Sequence, residues 1–110
     1  MVKEDTTFEG NLIKVGTCAE ENDQLISDAK QTDIWFHLHN LPSCHVVIES
    51  SSDYPVTKQM IAYCANVTKQ NTKYRDANQV SVIYTAIKNV RKTDTKGKVI
   101  VRGKVSHILI

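Results

Sequence analysis

The feature that most constrains this chain is a series of short β-type segments interrupted by only two segments with helical spacing. Residues 34–39 are apolar and aromatic, residues 45–49 are suited to pair with them, and residues 80–87 show the clearest strand pattern. Short strands in series form antiparallel sheets, and the two helical segments can cover such a sheet. We therefore predict one α+β domain over residues 1–110, a mainly antiparallel β-sheet with two helices packed on it.

The predicted strands are separated by turn residues. Turns are indicated at 31–33, 40–43 and 93–97, and a short loop at 50–53. The segments 34–39 and 45–49 are predicted to pair as a hairpin. The full set of predicted strands is 8–15 (ended by Gly16), 34–39, 45–49, 80–87, 99–101 and 106–110.

Two helices are predicted from apolar periodicity. The first covers residues 18–29, where Thr17 and Glu20 have the spacing of a capping box. The second covers residues 57–68, because Pro55 and Thr57 are start signals. Its apolar stripe consists of Met60, Cys64 and Val67. Residues 66–78 are polar and basic, and we predict an exposed loop there.

Cysteine usage and hydropathy indicate a compartment. The three cysteines are Cys18, Cys44 and Cys64, an odd number at wide spacing, which is typical of reduced thiols. No apolar run is long enough to span a bilayer, and the N-terminus has no signal-peptide pattern. We expect a cytoplasmic protein without a membrane partner.

Charge is distributed unequally between the two halves of the chain. Residues 1–55 contain 3 Lys/Arg and 10 Asp/Glu, a balance of −7, whereas residues 56–110 contain 11 Lys/Arg and 2 Asp/Glu, a balance of +9. Such asymmetry suggests a surface that binds a polyanion. Two alternatives are that the halves attract each other across the fold, or that the charges are only solvated.

The basic half provides candidate contacts to a nucleic-acid backbone. The candidates from the C-terminal third are Lys88, Arg91, Lys92, Lys96 and Lys98, in a run that continues with Arg102 and Lys104. Lys69 and Lys73, near the end of the second helix, are added to them. Because few aromatic residues are expected to be exposed, recognition should depend on shape and phosphate more than on stacking.

A second group of candidates is polar and aromatic. His37 and His39 share one face of a strand with Trp35, and His45 begins the paired strand. Imidazole, amide and carboxylate groups beside an indole can bind sugars and base edges. The alternative is structural, with Trp35 in the core and the histidines bonded to backbone. The group consists of Asn22, Asp23, Trp35, His37, His39 and His45.

The sequence gives little support for a metal centre or for catalysis. No Cys/His pair has the spacing of a zinc knuckle. Cys44 and His45 are neighbours on a strand, so their side chains point to opposite faces. No glycine-rich phosphate loop is present. We expect no metal, no cofactor and no enzymatic activity.

Three segments carry a resemblance to a known family. Residues 16–25, GTCAEENDQL, resemble a "GRNAxENDxL" motif. Residues 33–37 and 42–47, DIWFH and PSCHVV, resemble "DLWFHxxxxPGSHVV". Residues 81–92 resemble "VxYTxxKxVKK". Together they make the chain similar to the NFACT RNA-binding domain, over roughly residues 8–110.

The resemblance implies a function in translation. Proteins with this domain act on the large ribosomal subunit in ribosome-associated quality control, so the implied partner is rRNA or tRNA. The chain resembles a stand-alone version without the family's N-terminal domain and coiled-coil arms. The activity of the longer proteins, which extend the stalled nascent chain, is therefore not implied. Departures at Thr17, Ser43 and Ile83 place an identical ligand in doubt. Two other functions remain open: a DNA-binding module, and an adaptor whose acidic half binds a basic protein.

Overall fold

The computed structural model describes residues 3–8 (backbone only), 11–41, 43–50 and 55–110. This part of the chain forms eight strands and two α-helices, with a short 3-10 helix at Ile87–Asn89. In order, the elements are β1 (Lys3–Phe8), β2 (Asn11–Gly16), α1 (Ala19–Asp28), β3 (Ile34–Leu38), β4 (His45–Ile48), α2 (Lys58–Gln70), β5 (Ser81–Ala86), β6 (Val90–Lys92), β7 (Val99–Val101) and β8 (Ser106–Leu109).

The strands form one large sheet and one small ribbon. The sheet has six strands in the order β1-β2-β4-β3-β5-β8, and every neighbouring pair is antiparallel. Strands β6 and β7 pair with each other as a separate two-stranded antiparallel ribbon. The predicted hairpin of β3 and β4 is confirmed, with Trp35 opposite Val47. The predicted α+β class is confirmed.

Alternation along the strands directs side chains to two faces of the sheet. Phe36, Val46 and Ile48 lie on one face, where they pack with Met60 and Cys64 of α2. Trp35 and Val47 lie on the other face. They pack there with Leu25 and Ile26 of α1 and with Val90, Val99 and Val101 of the ribbon. The helices therefore cover opposite faces, and the ribbon lies on the same face as α1.

The start of α2 follows the sequence prediction. Thr57 is its N-cap, and the Thr57 hydroxyl accepts a hydrogen bond from the Met60 amide at 3.2 Å. The helix continues to Gln70, beyond the predicted end at residue 68. The predicted loop at 66–78 is therefore wrong in its first part, because residues 66–70 are helical.

The start of α1 differs from the prediction. Its N-cap is Cys18, which makes no side-chain capping bond. Thr17 precedes the cap, and its amide and hydroxyl bond to the Glu21 carboxylate at 2.9 and 3.1 Å. The capping box predicted for Thr17 and Glu20 is therefore wrong, because the helix begins one residue later than that motif requires.

Two strand predictions also need correction. Residues 8–15 were predicted as one strand, but Phe8 is the last residue of β1 and the next strand begins at Asn11. Strand β6 was not predicted, because a buried valine followed by two exposed cations gives no apolar run. Most of the predicted loop at 50–53, and Pro42 in the predicted turn at 40–43, lie outside the described residues.

The β6–β7 ribbon packs closely on the N-terminal turn of α1. Gly97, in the turn of the ribbon, has a positive φ of 78°, and a Cβ there would lie 2.8 Å from the Ala19 Cα. Lys92 donates to the Ser27 hydroxyl at 2.7 Å and forms an ion pair with Asp23 at 3.4 Å. These contacts fix the ribbon beside α1. Over the described part of the chain, neither helix combines the length and the hydropathy that crossing a membrane requires.

Candidate nucleic-acid interface

A pocket of about 340 Å³ opens between the sheet and the β6–β7 ribbon. One wall comes from β3 and β4, and the opposite wall comes from the ribbon and its turn. The pocket brings together two groups of residues that are distant in sequence. Its lining consists of Trp35, His37, Leu38, His39, Asn40, Leu41, His45, Ile83, Gly97, Lys98, Val99 and Val101.

Trp35 and His45 form the buried floor of this pocket. Trp35 is 1% exposed and His45 is 2% exposed. The Trp35 indole N–H donates to His45 Nδ1 at 3.1 Å. Because an indole nitrogen only donates, His45 Nδ1 must be unprotonated. The burial of Trp35 favours the core role that the sequence left open, since its ring is covered and cannot stack on a base.

His37 lies between the floor formed by Trp35 and His45 and the opening of the pocket. It is half-buried, and its ring stacks on Trp35 with centroids 5.5 Å apart. The His37 and His45 rings meet edge to face at 4.9 Å. His37 Nδ1 is in hydrogen-bonding contact with the Leu38 carbonyl, which only accepts, so this nitrogen carries the hydrogen.

His37 and His45 are both held in the neutral form. Burial lowers the pKa of His37 from its ordinary value of 6.5. Burial, and then the charge of His37, lowers the pKa of His45 from 6.5 to about 3. At neutral pH the pair therefore adds no positive charge to the pocket, and each ring has one nitrogen that accepts hydrogen bonds.

His39 lies at the rim of the pocket and is exposed. Its ring contacts that of His107 on β8, with centroids 5.0 Å apart. The Ser81 hydroxyl lies 3.4 Å from His107 Nδ1. The strand spacing correctly placed His37 and His39 on one face. His107 was missed, because nothing in a terminal β segment indicates which histidine it will meet.

The structure separates Asn22 and Asp23 from the other polar candidates. Asn22 is 6% exposed, and its Oδ1 packs against Gly16, where an added Cβ would lie 2.5 Å away. This oxygen has no hydrogen-bond partner among the described residues. Asp23 is paired with Lys92. Neither residue lines the pocket, so the structure brings together only Trp35, His37, His39 and His45.

Most of the basic candidates lie on or beside the β6–β7 ribbon. Lys88, Arg91, Lys96 and Lys98 are exposed, and Lys98 also lines the pocket. Arg91 donates to the Lys88 carbonyl at 2.8 Å, which holds its guanidinium near the start of the ribbon. Lys92 is exposed too, but its ammonium is bonded to Asp23 and Ser27 of α1. This ion pair joins the acidic half of the chain to the basic half. Such attraction was one of the alternatives that the charge distribution left open.

The remaining two lysines lie away from the ribbon. Lys69 is 8% exposed, and its ammonium donates to the Ile110 carbonyl at 3.1 Å, a structural position that does not favour phosphate contact. Lys73 is exposed, with its ammonium 5.5 Å from the centre of the Tyr74 ring. Lys73 also borders a second pocket of about 320 Å³. Thr17 and Ser43, two of the departures from the family motifs, line that second pocket.

The chemistry of the described residues bears on metals and nucleophiles. No three His, Cys, Asp or Glu side chains among them are placed to hold a metal ion together. Cys44 is buried, and burial raises the pKa of its thiol to about 11. The Cys44 thiol donates to the Thr68 carbonyl at 3.3 Å, so it stays protonated at neutral pH and is a poor nucleophile.

The pocket wall formed by the ribbon was not predicted. Val99 and Val101 were assigned to a strand, but nothing indicated that this strand would face His37. Ile83, one of the departures from the family motifs, also lines the pocket and makes it more apolar. Gly97 is a sequence feature that could have indicated this wall, because a glycine in a basic turn permits close approach to another element.

Comparisons with known proteins show which family this chain resembles. The family model described as the NFACT protein RNA binding domain matches residues 1–107. Coiled-coil domain-containing protein 25 of Bos taurus is 36% identical over 87 residues, covering 74% of this chain and 41% of that protein. The Rqc2 homolog RqcH of Bacillus subtilis (strain 168) is 36% identical over 84 residues, covering 76% of this chain and 14% of that protein.

A solved structure shows the same fold. The C-terminal part of the fibronectin/fibrinogen-binding protein from Streptococcus suis superposes with a TM-score of 0.80 at 27% identity. The match covers 91% of this chain and 40% of that one. The chain therefore spans less than half the length of each of these relatives.

Proposed function

Because this chain belongs to the NFACT RNA-binding domain family, we propose that it binds structured RNA through phosphate contacts made by the β6–β7 ribbon. The observation that carries this proposal is the set of exposed cations on the β6–β7 ribbon, in its turn and in the short 3-10 helix directly before it. The set consists of Lys88, Arg91, Lys96 and Lys98. Cations that neutralise phosphates release condensed counterions, which provides most of the affinity for a nucleic-acid backbone.

The charges around the ribbon determine the side from which an RNA backbone can approach it. Helix α1 beside it carries exposed Glu20 and Asp28, which repel phosphate. Lys92 is already neutralised by Asp23 of α1. An RNA backbone is therefore favoured on the side of the ribbon that faces away from α1. Arg91 and Ile100 are directly opposite each other in the ribbon, and both are exposed.

The RNA is proposed to be rRNA or tRNA, met in the cytoplasm on the large ribosomal subunit during ribosome-associated quality control. Support comes from the family resemblance and from the similarity to the Rqc2 homolog RqcH, of which this chain matches a small part. Crosslinking the protein to RNA in cells and sequencing the bound RNA tests this. We expect enrichment of rRNA or tRNA, and enrichment of mRNA alone would contradict it.

The double variant Lys88→Ala/Arg91→Ala tests the ribbon. We expect weaker binding to every structured RNA, and a plot of log affinity against log salt that is flatter by roughly one to two units, because each lost phosphate contact removes about 0.7–0.9. Melting temperature should change little, since exposed charges contribute little to stability. The measurement is RNA affinity at several salt concentrations.

A matched control removes the same charge elsewhere. Lys58 and Arg75 are exposed and belong to α2 and the loop after it, on the opposite side of the sheet. The variant Lys58→Ala/Arg75→Ala should keep most of the wild-type salt slope. Equal slopes for the wild type and the ribbon variant, with both folded, would show that the ribbon cations are only solvated. A DNA duplex of the same sequence, bound as tightly as RNA, would favour the DNA-binding alternative.

A further inference from the structure

The pocket between the sheet and the β6–β7 ribbon has features that contacts to phosphate do not explain. Its volume of about 340 Å³ is at the lower end of the range for ligand pockets, about 300–1,000 Å³, which suits one planar group. We propose that this pocket holds one unpaired nucleobase of the bound RNA, with His37 accepting a hydrogen bond from the base and Lys98 contacting its phosphate. The inference rests on the proposed function.

The walls of the pocket fit a flat, aromatic ligand. His37 presents a planar ring, which stacks on Trp35 and is therefore held in place from behind. Ile83, Val99 and Val101 supply apolar surface around it. Proteins commonly hold unpaired RNA bases by stacking them on flat side chains and bonding to their edges. A base placed against these side chains displaces water from them, which strengthens its hydrogen bonds inside the pocket.

The hydrogen bonds of the buried cluster set the polarity of the pocket. The Leu38 carbonyl faces His37 Nδ1, so the hydrogen of the neutral His37 ring lies on that nitrogen and Nε2 accepts. The Trp35 indole uses its single hydrogen to bond to His45, which leaves it none for a ligand. A ligand that bonds to His37 Nε2 must therefore bring its own N–H donor. Every RNA base has such a donor on its Watson–Crick edge.

Lys98 places a positive charge at the same opening. It is exposed, it lies in the turn of the ribbon, and it lines the pocket together with His37. An ammonium at the rim of a slot with neutral imidazoles separates two functions: the slot receives the uncharged base, and the rim receives the anionic phosphate. This arrangement matches a nucleotide that is turned out of a helix whose backbone follows the ribbon.

Two RNAs that differ by one nucleotide test the proposal. The first is a blunt duplex of about 16 base pairs, and the second is the same duplex with one bulged nucleotide. We expect the wild type to bind the bulged RNA about tenfold more tightly, in the range expected for one stacked base. Trp35 is the single tryptophan of the chain and contacts His37, so its fluorescence should change with the bulged RNA only.

Two variants and a matched control test whether His37 and Lys98 make the proposed contacts. His37→Leu should reduce the ratio of the two affinities to about one, because the flat ring and its acceptor are both lost. Lys98→Ala should lower the ratio, whereas Lys104→Ala, which removes the same charge from an exposed site outside the pocket, should not. If His37→Leu does not fold, the comparison of Lys98 with Lys104 decides.

The possible outcomes separate this inference from the function it rests on. A ratio near one in the wild type, or a ratio unchanged in both His37→Leu and Lys98→Ala, overturns the pocket assignment. If the blunt duplex still binds with a steep salt dependence in that case, the proposed function stands. If neither RNA binds, the proposed function fails and the pocket assignment fails with it.

Discussion

Replacing Trp35 with alanine is expected to lower the free energy of unfolding by about 3–5 kcal/mol, a large share of the roughly 5–15 kcal/mol available to a domain. Trp35 is 1% exposed and packs among Leu25, Ile26 and Val90, so its removal leaves a cavity between the sheet, α1 and the ribbon. The loss also leaves His45 Nδ1 without its donor. Urea unfolding monitored by circular dichroism provides the measurement.

The variant Trp35→Phe separates packing from hydrogen bonding. It keeps an aromatic ring but removes the indole N–H, so it should cost less than Trp35→Ala, about 1–3 kcal/mol for the unpaired nitrogen together with a smaller cavity. If Trp35→Ala unfolds at the same urea concentration as the wild type, Trp35 is not part of the core. In that case a role in contacting RNA directly would again be open.

Acidification from pH 7 to pH 5 is expected to destabilise the protein by about 2 kcal/mol through His45 alone. The pKa of His45 is about 3 in the folded protein and 6.5 ordinarily, so between these values the unfolded chain binds a proton that the folded chain does not. Stability is therefore complete above pH 6.5 and falls as the pH is lowered toward 3. The lowered pKa of His37 acts in the same direction.

His45→Asn is the matched variant for this prediction. The asparagine amide oxygen can accept the Trp35 hydrogen bond near the position of Nδ1, but it does not titrate in this range. The variant should be less stable than the wild type at pH 7, yet lose less stability between pH 7 and pH 5. Urea unfolding at pH 7, 6 and 5 measures both effects. An equal loss in the two proteins would mean that His45 is protonated in the folded state.

The sequence was sufficient for those parts of the fold that depend on local periodicity. Alternation correctly placed Trp35 and His37 on one face of β3, and apolar spacing located both helices. The start of α2 was also readable, because Thr57 bonds to an amide only three residues away. The match to residues 1–107 confirms the family assignment made from short motifs.

Tertiary structure alone decided which candidates lie together. Lys69 and Lys73 are four residues apart in sequence, yet Lys69 is buried against the Ile110 carbonyl and Lys73 is exposed. Lys98 lines the same pocket as His37 only because the β6–β7 ribbon folds back over the sheet. Burial and pairing across long separations depend on how complete elements pack, and local spacing does not encode that packing. The same physical reason explains why the sequence proposed an Asn22–His37 cluster that the packing divides.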